Sequence, residues 1–341
     1  MKILVIRMMG FGDVASILIP AVNMIHQQYT LATVDVLTYG AGVELMSLVP
    51  TVNAVLAVSA EQWPSDIDKA IPSFIDIAQV VISQNYDLII NLDTWFMPCF
   101  LARVLKDSGA NVQGNFTNYA VDDLIHKIQS NALTQSYFQT ANLYLISTYA
   151  NMADWSTPWW NQYPNTGYPE FYLQHCCDFK QEVDITLSIE AELAFKLLAE
   201  TKPIIALSLS GSKASKQYAH GKVLQSLLAQ AGFFVWSRFD GSLPMQTTLA
   251  RLKVTDLLIT VATSTQWLAK LVGCPSLMIP GALPPSVLGA ELVVEKVKSC
   301  QYCYQNQCVE HINYACMDIP PQQIVEKVLQ YFQASYVLKP H

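Results

Sequence analysis

Residues 2–22 read KILVIRMMGFGDVASILIPAV. The apolar run from Ile3 to Ile6 lies between Lys2 and Arg7. It is short and carries β-branched side chains, so 2–7 is predicted as a strand buried on both faces. Gly10 and Gly12 then mark a turn, and from Asp13 the apolar spacing predicts a helix to about residue 28. A strand, a glycine turn and a helix in that order open a parallel α/β sheet.

The same grammar continues outward. Strands are predicted at 33–37, 52–58 and 87–92, with helices at 41–48, 73–84 and 97–105. It returns in the second half, with strands at 203–209, 233–237, 256–261 and 276–279 and helices at 222–230, 244–252, 266–272 and 322–332. Between the halves, residues 151–183 hold Trp155, Trp159, Trp160, Pro158, Pro164 and Pro169 with little periodicity. This stretch reads as an irregular aromatic connector, its tryptophans either packing between domains or forming a platform for a ligand. The expected architecture is two α/β domains, each a parallel sheet covered by helices, 1–165 and 166–341.

Composition narrows the function. With 52% hydrophobic and 14% charged residues among 341, the chain is not disordered and can bury two cores. A net charge of −7 argues against a nucleic-acid partner and gives no broad basic field for anionic lipid. The first apolar run stops at Arg7, too soon for a signal peptide, and no run is long enough for a spanning helix. The expected compartment is therefore the cytoplasm, where eight cysteines do not form a disulfide framework.

Four segments could carry chemistry. Gly10-Phe11-Gly12-Asp13-Val14-Ala15 fits the G-x-G-x-x-A dinucleotide pattern, but the acid required at the end of the second strand is missing, Asp35 lying near its start. A nicotinamide-dependent oxidoreductase rests on that pattern alone. Asp13 is otherwise an N-cap, or a general base towards a hydroxyl. Residues 208–216, SLSGSKASK, offer small residues, hydroxyls, Lys213 and Lys216 for a diphosphate, without being a Walker A loop. The alternative is a solvated loop. Residues 260–267, TVATSTQW, end a strand in a hydroxyl-rich turn that either caps a helix or meets a ligand. Cys300, Cys303, Cys308 and Cys316 could hold a structural metal, pack as free thiols or form a redox disulfide. The six histidines show no ligand spacing.

Taken together, these segments resemble glycosyltransferase family 9, the ADP-heptose:lipopolysaccharide heptosyltransferases and their relatives. The resemblance is carried by 2–7, Gly12-Asp13-Val14, Leu18-Ile19-Pro20-Ala21, the strand YDLIINLD ending at Asp93, Ala102-Arg103, and the loop 210–216 followed by Gln217-Tyr218. The cysteine-bearing tail followed by Met317-Asp318-Ile319-Pro320 is also similar. It covers roughly 1–110 and 200–335.

The resemblance implies a GT-B fold, two Rossmann-like domains facing across a cleft. The first would take the acceptor and the second, which bears the cysteine cluster, the nucleotide-sugar. It implies Asp13 as the base, with Gly12 and Asp93 on the acceptor side. Ser210, Gly211, Lys213 and Lys216 would hold the diphosphate, Thr263 and Ser264 would contact the sugar or phosphate, and Asp240 would reach the ribose. Transfer would invert the sugar and need no cofactor, zinc or iron being a structural candidate at the cysteines. The expected donor is an ADP-sugar, and the acceptor a glycan, a lipid-linked molecule reached by peripheral membrane contact, or a protein. The sequence departs from the family at Ala262, Ser264 and Trp267, where an acid, a glycine and a histidine are usual, and at Pro280-Gly281-Ala282. That departure raises a second reading, a degenerate member that binds a nucleotide-sugar or a protein without transfer.

Overall fold

The stretch 2–22 folds as strand β1 (Lys2–Ile6), a turn and one helical run. The run begins as an α turn, Phe11–Asp13, widens to a π segment, Val14–Leu18, and becomes the α-helix Ile19–Gln28. Pro20, which has no N–H to donate, falls at the start of that α-helix, where the bonding changes register. Gly10 precedes the run at φ +77°, in the left-handed region that glycine enters without a Cβ penalty. The structure, a computed structural model, describes residues 1–8, 10–163, 165–294, 298–305, 307–308 and 313–337.

The chain divides into two compact units, residues 1–163 with 169–185, and residues 164–168 with 186–341. In the first, β1 is joined by β2 (Thr33–Tyr39), β3 (Ala54–Val58), β4 (Leu88–Asn91), β5 (Val112–Thr117) and β6 (Leu145–Ser147). The order is β3-β2-β1-β4-β5-β6, parallel except for the β5–β6 pair. Ile6 pairs with Leu37 on one side and Asn91 on the other. The chain winds outward from β1 through β2 and β3, then crosses back to β4, so β1 and β4 flank a topological switch point. The helices Ile67–Ser83 and Phe96–Asp107 supply Phe74, Ala78, Phe100, Leu101 and Leu105 to the core of this unit.

The second unit is a five-stranded parallel sheet of β7 (Ile204–Ser208), β8 (Phe234–Trp236), β9 (Leu257–Thr260), β10 (Ser276–Met278) and β11 (Leu292–Val293). The order β11-β10-β9-β7-β8 puts a second switch point between β7 and β9. Its core holds Ile205, Leu207, Ile259, Leu277, Ile324 and Val328. These two mostly parallel sheets are those of the GT-B class expected from the sequence.

The middle segment is irregular, as expected, built from 3-10 turns (Met152–Ser156, Pro158–Gln162) and a π segment, Phe171–Cys176. It is more than a link. Phe171, Tyr172, Leu173 and Cys176 are fully buried, so 169–185 completes the first unit. Trp159 is half exposed, and Trp160 packs on Phe171 at 6.3 Å between ring centroids. Among the described residues no helix is long and apolar enough to cross a membrane.

Gly114 in β5 has φ +90°, and a Cβ there would fall 2.1 Å from the Asn91 carbonyl oxygen. Gly114→Ala is expected to cost about 2–4 kcal/mol, from left-handed strain and backbone overlap together. The check is a chemical-denaturation midpoint at unchanged m-value.

Candidate functional site

Loops that leave the carboxyl ends of parallel strands are where open α/β sheets bind ligands, above all at a switch point. Asp13 lies in the loop after β1. Its carboxylate does not cap the helix that it opens. Instead Arg7 Nη2 donates to Asp13 Oδ2 at 2.5 Å. Gly10 makes room for this, because a Cβ there would stand 2.9 Å from the same oxygen. The Asp13 side chain is still 36% exposed, while Arg7 is buried. Gly12 sits half buried in the same turn.

Asp93, expected on the acceptor side, is turned inward. It is fully buried, and both oxygens accept main-chain N–H groups, Oδ2 from Met8 at 2.7 Å and Oδ1 from Thr94 and Trp95 at 2.9 and 3.1 Å. It braces the loop after β4 against the loop after β1 and has no open face for an acceptor. Asp35 is likewise structural. It takes hydrogen bonds from Asn53 and Tyr86 at the amino end of β2, so no acid closes β2 as a dinucleotide site requires. Burial and this contact with Asp35 push the Tyr86 hydroxyl well above its usual pKa.

In the second unit, two of the sequence segments meet. Ser210 pairs with Gln217 across a tight loop, closed by Gly211 N–H to Lys216 O at 2.8 Å. A Cβ on Gly211 would lie 2.8 Å from Lys216 Cβ and 3.1 Å from Thr263 Cγ2, so Gly211, Lys216 and Thr263 are packed together at the β7–β9 switch point. Thr260 Oγ1 donates to the Ser208 carbonyl at 3.1 Å and ties the two loops from below. Ser264 precedes the helix Thr265–Leu271 without a side-chain cap bond, so the capping reading is not what the turn does. Ala262 and Trp267 are buried. Lys213 is exposed, on the same loop.

Gly281, in the loop after β10, also joins this group. A Cβ there would meet Met317 Sδ at 2.7 Å and the Ser215 carbonyl at 3.1 Å. The tail is stitched to that loop by Gln301 Nε2 to the Pro280 and Cys316 carbonyls and by Tyr302 N–H to the Gly281 carbonyl. Asp240 lies in the exposed loop after β8, where its Oδ1 accepts from Ser242 N and Oγ. Those two bonds hold its carboxyl below the usual range.

Of the three readings open for the cysteine quartet, neither a metal centre nor a disulfide is seen among the described residues. Among the described residues no group of three or more His, Cys, Asp or Glu side chains is placed to hold a metal ion, and no cysteine forms a disulfide. Burial first, then the nearby thiols of Cys300, Cys303 and Cys308, push the Cys316 thiol up. Much of the link between Cys308 and Cys316, residues 309–312, lies outside the described residues.

No protein-family model matches the chain, and no curated protein matches it in sequence. Solved structures match it in shape. E. coli ADP-heptose LPS heptosyltransferase II shares 14% identity over 98% of this chain and 100% of its own, with a TM-score of 0.62. The chain has the fold of the family 9 glycosyltransferases. A glycosyl transferase family 9 protein from Veillonella parvula gives a TM-score of 0.61 at 13% identity over 96% of both chains. TibC from enterotoxigenic E. coli, described as a dodecameric, iron-containing heptosyltransferase and solved with ADP-D-beta-D-heptose, gives 0.56 at 10% identity over 98% of this chain and 76% of its own.

Within this fold, sequence reasoning missed Arg7 and Tyr172. Arg7 carried a signal, since a charged residue closing a buried strand needs a partner. Tyr172 carried none, because its partners are remote in the chain. For the loop at 210–216, Gly211→Ala is expected to weaken binding of inorganic diphosphate at least about tenfold, the equivalent of 1.4 kcal/mol, by displacing Lys216. Calorimetric titration checks this, with an unchanged melting temperature as the control.

Proposed function

We propose that the protein is a glycosyltransferase that moves a sugar, heptose or a related one, from a nucleotide-sugar to a hydroxyl acceptor with inversion. The observation that carries the reading is the placement of the polar loops. Asp13 lies at one switch point, and Gly211, Lys216 and Thr263 are packed together at the other. The first unit takes the acceptor and the second the donor, an ADP-sugar as in the complex of TibC. The eight cysteines, among which no disulfide is described, fit a cytoplasmic setting.

In this reading Asp13 accepts the proton of the acceptor hydroxyl. The freed oxygen forms a bond to the anomeric carbon from the face opposite the diphosphate. The bond from that carbon to the diphosphate oxygen breaks, and its electron pair leaves with the nucleoside diphosphate. Lys216, assisted by Lys213, Ser210 and the Gly211 region, balances the charge that develops on the leaving group. Thr263 and Ser264 supply hydroxyls beside it, while Ala262 and Trp267 stand where the acid and imidazole are usual in the family. Asp240 is assigned to the ribose hydroxyls, its carboxylate already fixed by Ser242. The acceptor is a glycan, lipid-linked or protein hydroxyl. The reading uses no cofactor for the transfer itself.

A thermal-shift series with ADP-, GDP-, UDP- and CMP-sugars tests the donor. A ligand at about 100 times its Kd stabilises the native state by about 2.7 kcal/mol, a shift of several degrees. The ADP-sugar is expected to produce it, and no shift with any nucleotide-sugar overturns the donor site. Asp13→Asn is expected to lower kcat by about 10²–10⁴ with the ADP-sugar shift retained. Full turnover in that variant removes Asp13 as the base.

A further inference from the structure

The most demanding group in the first unit is the guanidinium of Arg7. It is 2% exposed, just past the end of β1, whose residues Ile3 to Ile6 are apolar. A buried charge is tolerated when it is paired and hydrogen-bonded. Arg7 Nη2 holds Asp13 Oδ2 at 2.5 Å. Arg7 Nη1 donates to the Leu92 carbonyl at 2.5 Å, at the end of β4, and lies 3.5 Å from the Tyr172 hydroxyl. That hydroxyl itself donates to the Leu92 carbonyl at 2.8 Å, and the Tyr172 ring centroid is 5.3 Å from Arg7 Cζ. One planar fork therefore joins the base to the main chain across the switch point, and Tyr172 bolts the fork in place.

We propose that Arg7 is a positioning residue for Asp13 and that Tyr172 is the anchor that fixes Arg7. The inference rests on the reading of Asp13 as the base. Arg7 and Gly10 enclose Oδ2, so Oδ1 is the oxygen that takes the acceptor proton. The aim of that oxygen depends on a rigid two-pronged donor and not on charge alone. Lysine, a point charge on a flexible stem, cannot bridge Leu92 and Asp13 in this way. Tyr172 comes from the π segment Phe171–Cys176, so docking of that returning segment is a condition for an aimed base.

The test uses the full chain with ADP-heptose, read as ADP release with water as acceptor, together with carboxyl ¹³C spectra in which Asp13 is assigned by its loss in Asp13→Asn. Arg7→Met is expected to lower kcat about 10²-fold and Tyr172→Phe about 10-fold, with the KM for ADP-heptose within twofold of the parent, the size of effect that a misplaced group produces. In an Asp13→Asn background, Arg7→Met is expected to cost less than threefold more, because residues that act as one unit are non-additive. Arg7→Lys is expected to recover less than a tenth of the lost rate. The Asp13 resonance is expected to move in Arg7→Lys and Tyr172→Phe, whatever the turnover and whether or not Arg7→Met folds.

An Asp13 resonance unmoved in both variants overturns the proposal. So does an Arg7→Met loss as large in the Asp13→Asn background as in the parent. If Asp13→Asn itself turns over at the parent rate while the resonance moves in the Arg7 and Tyr172 variants, the base reading fails and the geometric tie stands.

Discussion

Parallel strands are joined by crossovers that run back outside the sheet, and those crossovers have one hand. Every loop leaving a strand's carboxyl end is therefore gathered along one edge. Where the winding reverses, two such loops part and leave room for a ligand. In this chain the reversal falls beside β1 in the first unit and beside β7 in the second. The polar residues that stand out in an apolar sequence, Asp13 after β1 and Ser210 to Lys216 after β7, are at those two places. Their chemistry is a consequence of strand order more than of any one contact.

The two edges solve different problems. Beside β7 the requirement is close approach, and small residues meet it. Gly211 lets Lys216 and Thr263 pack against a bare backbone, and Gly281 does the same for Met317 and Ser215. Beside β1 the requirement is aim. A carboxylate that is 36% exposed would swing freely, and a buried guanidinium removes that freedom. The cost of burying Arg7 is offset by charge-assisted bonds to Asp13 and to a main-chain carbonyl.

Much of this is legible in the residues. Ile3 to Ile6 and the glycine turn specify a buried strand and a switch-point loop, and the same pattern near 203 and 256 specifies a second sheet. What escapes has a common cause, a partner far away in the chain. No strand is predicted at Val112–Thr117, where Gln113, Gly114 and Asn115 leave little apolar pattern. It is a strand because it pairs with β4 and β6, and the Asn115 side chain donates to the Asp93 carbonyl while the Asn91 side chain donates to the Asn115 carbonyl. Asp93 reads as an edge carboxylate and is a buried brace because Met8, 85 residues earlier, presents an N–H to it. Tyr172 meets Arg7 across 165 residues from a segment with no periodicity at all.

The route of the main chain through 164–185 constrains how such a protein is recombined. The polypeptide gives five residues, 164–168, to the second unit and then returns to the first for 169–185 before leaving for good. A chimera cut once near residue 165 would carry Phe171, Tyr172, Leu173 and Cys176 away with the wrong partner and open a hole in the core they fill. Exchange of one second unit for another needs a junction near 186 and a matching short insert at 164–168. The seam between the two units is thus a double one, and gene fragments that respect it are the ones expected to shuffle.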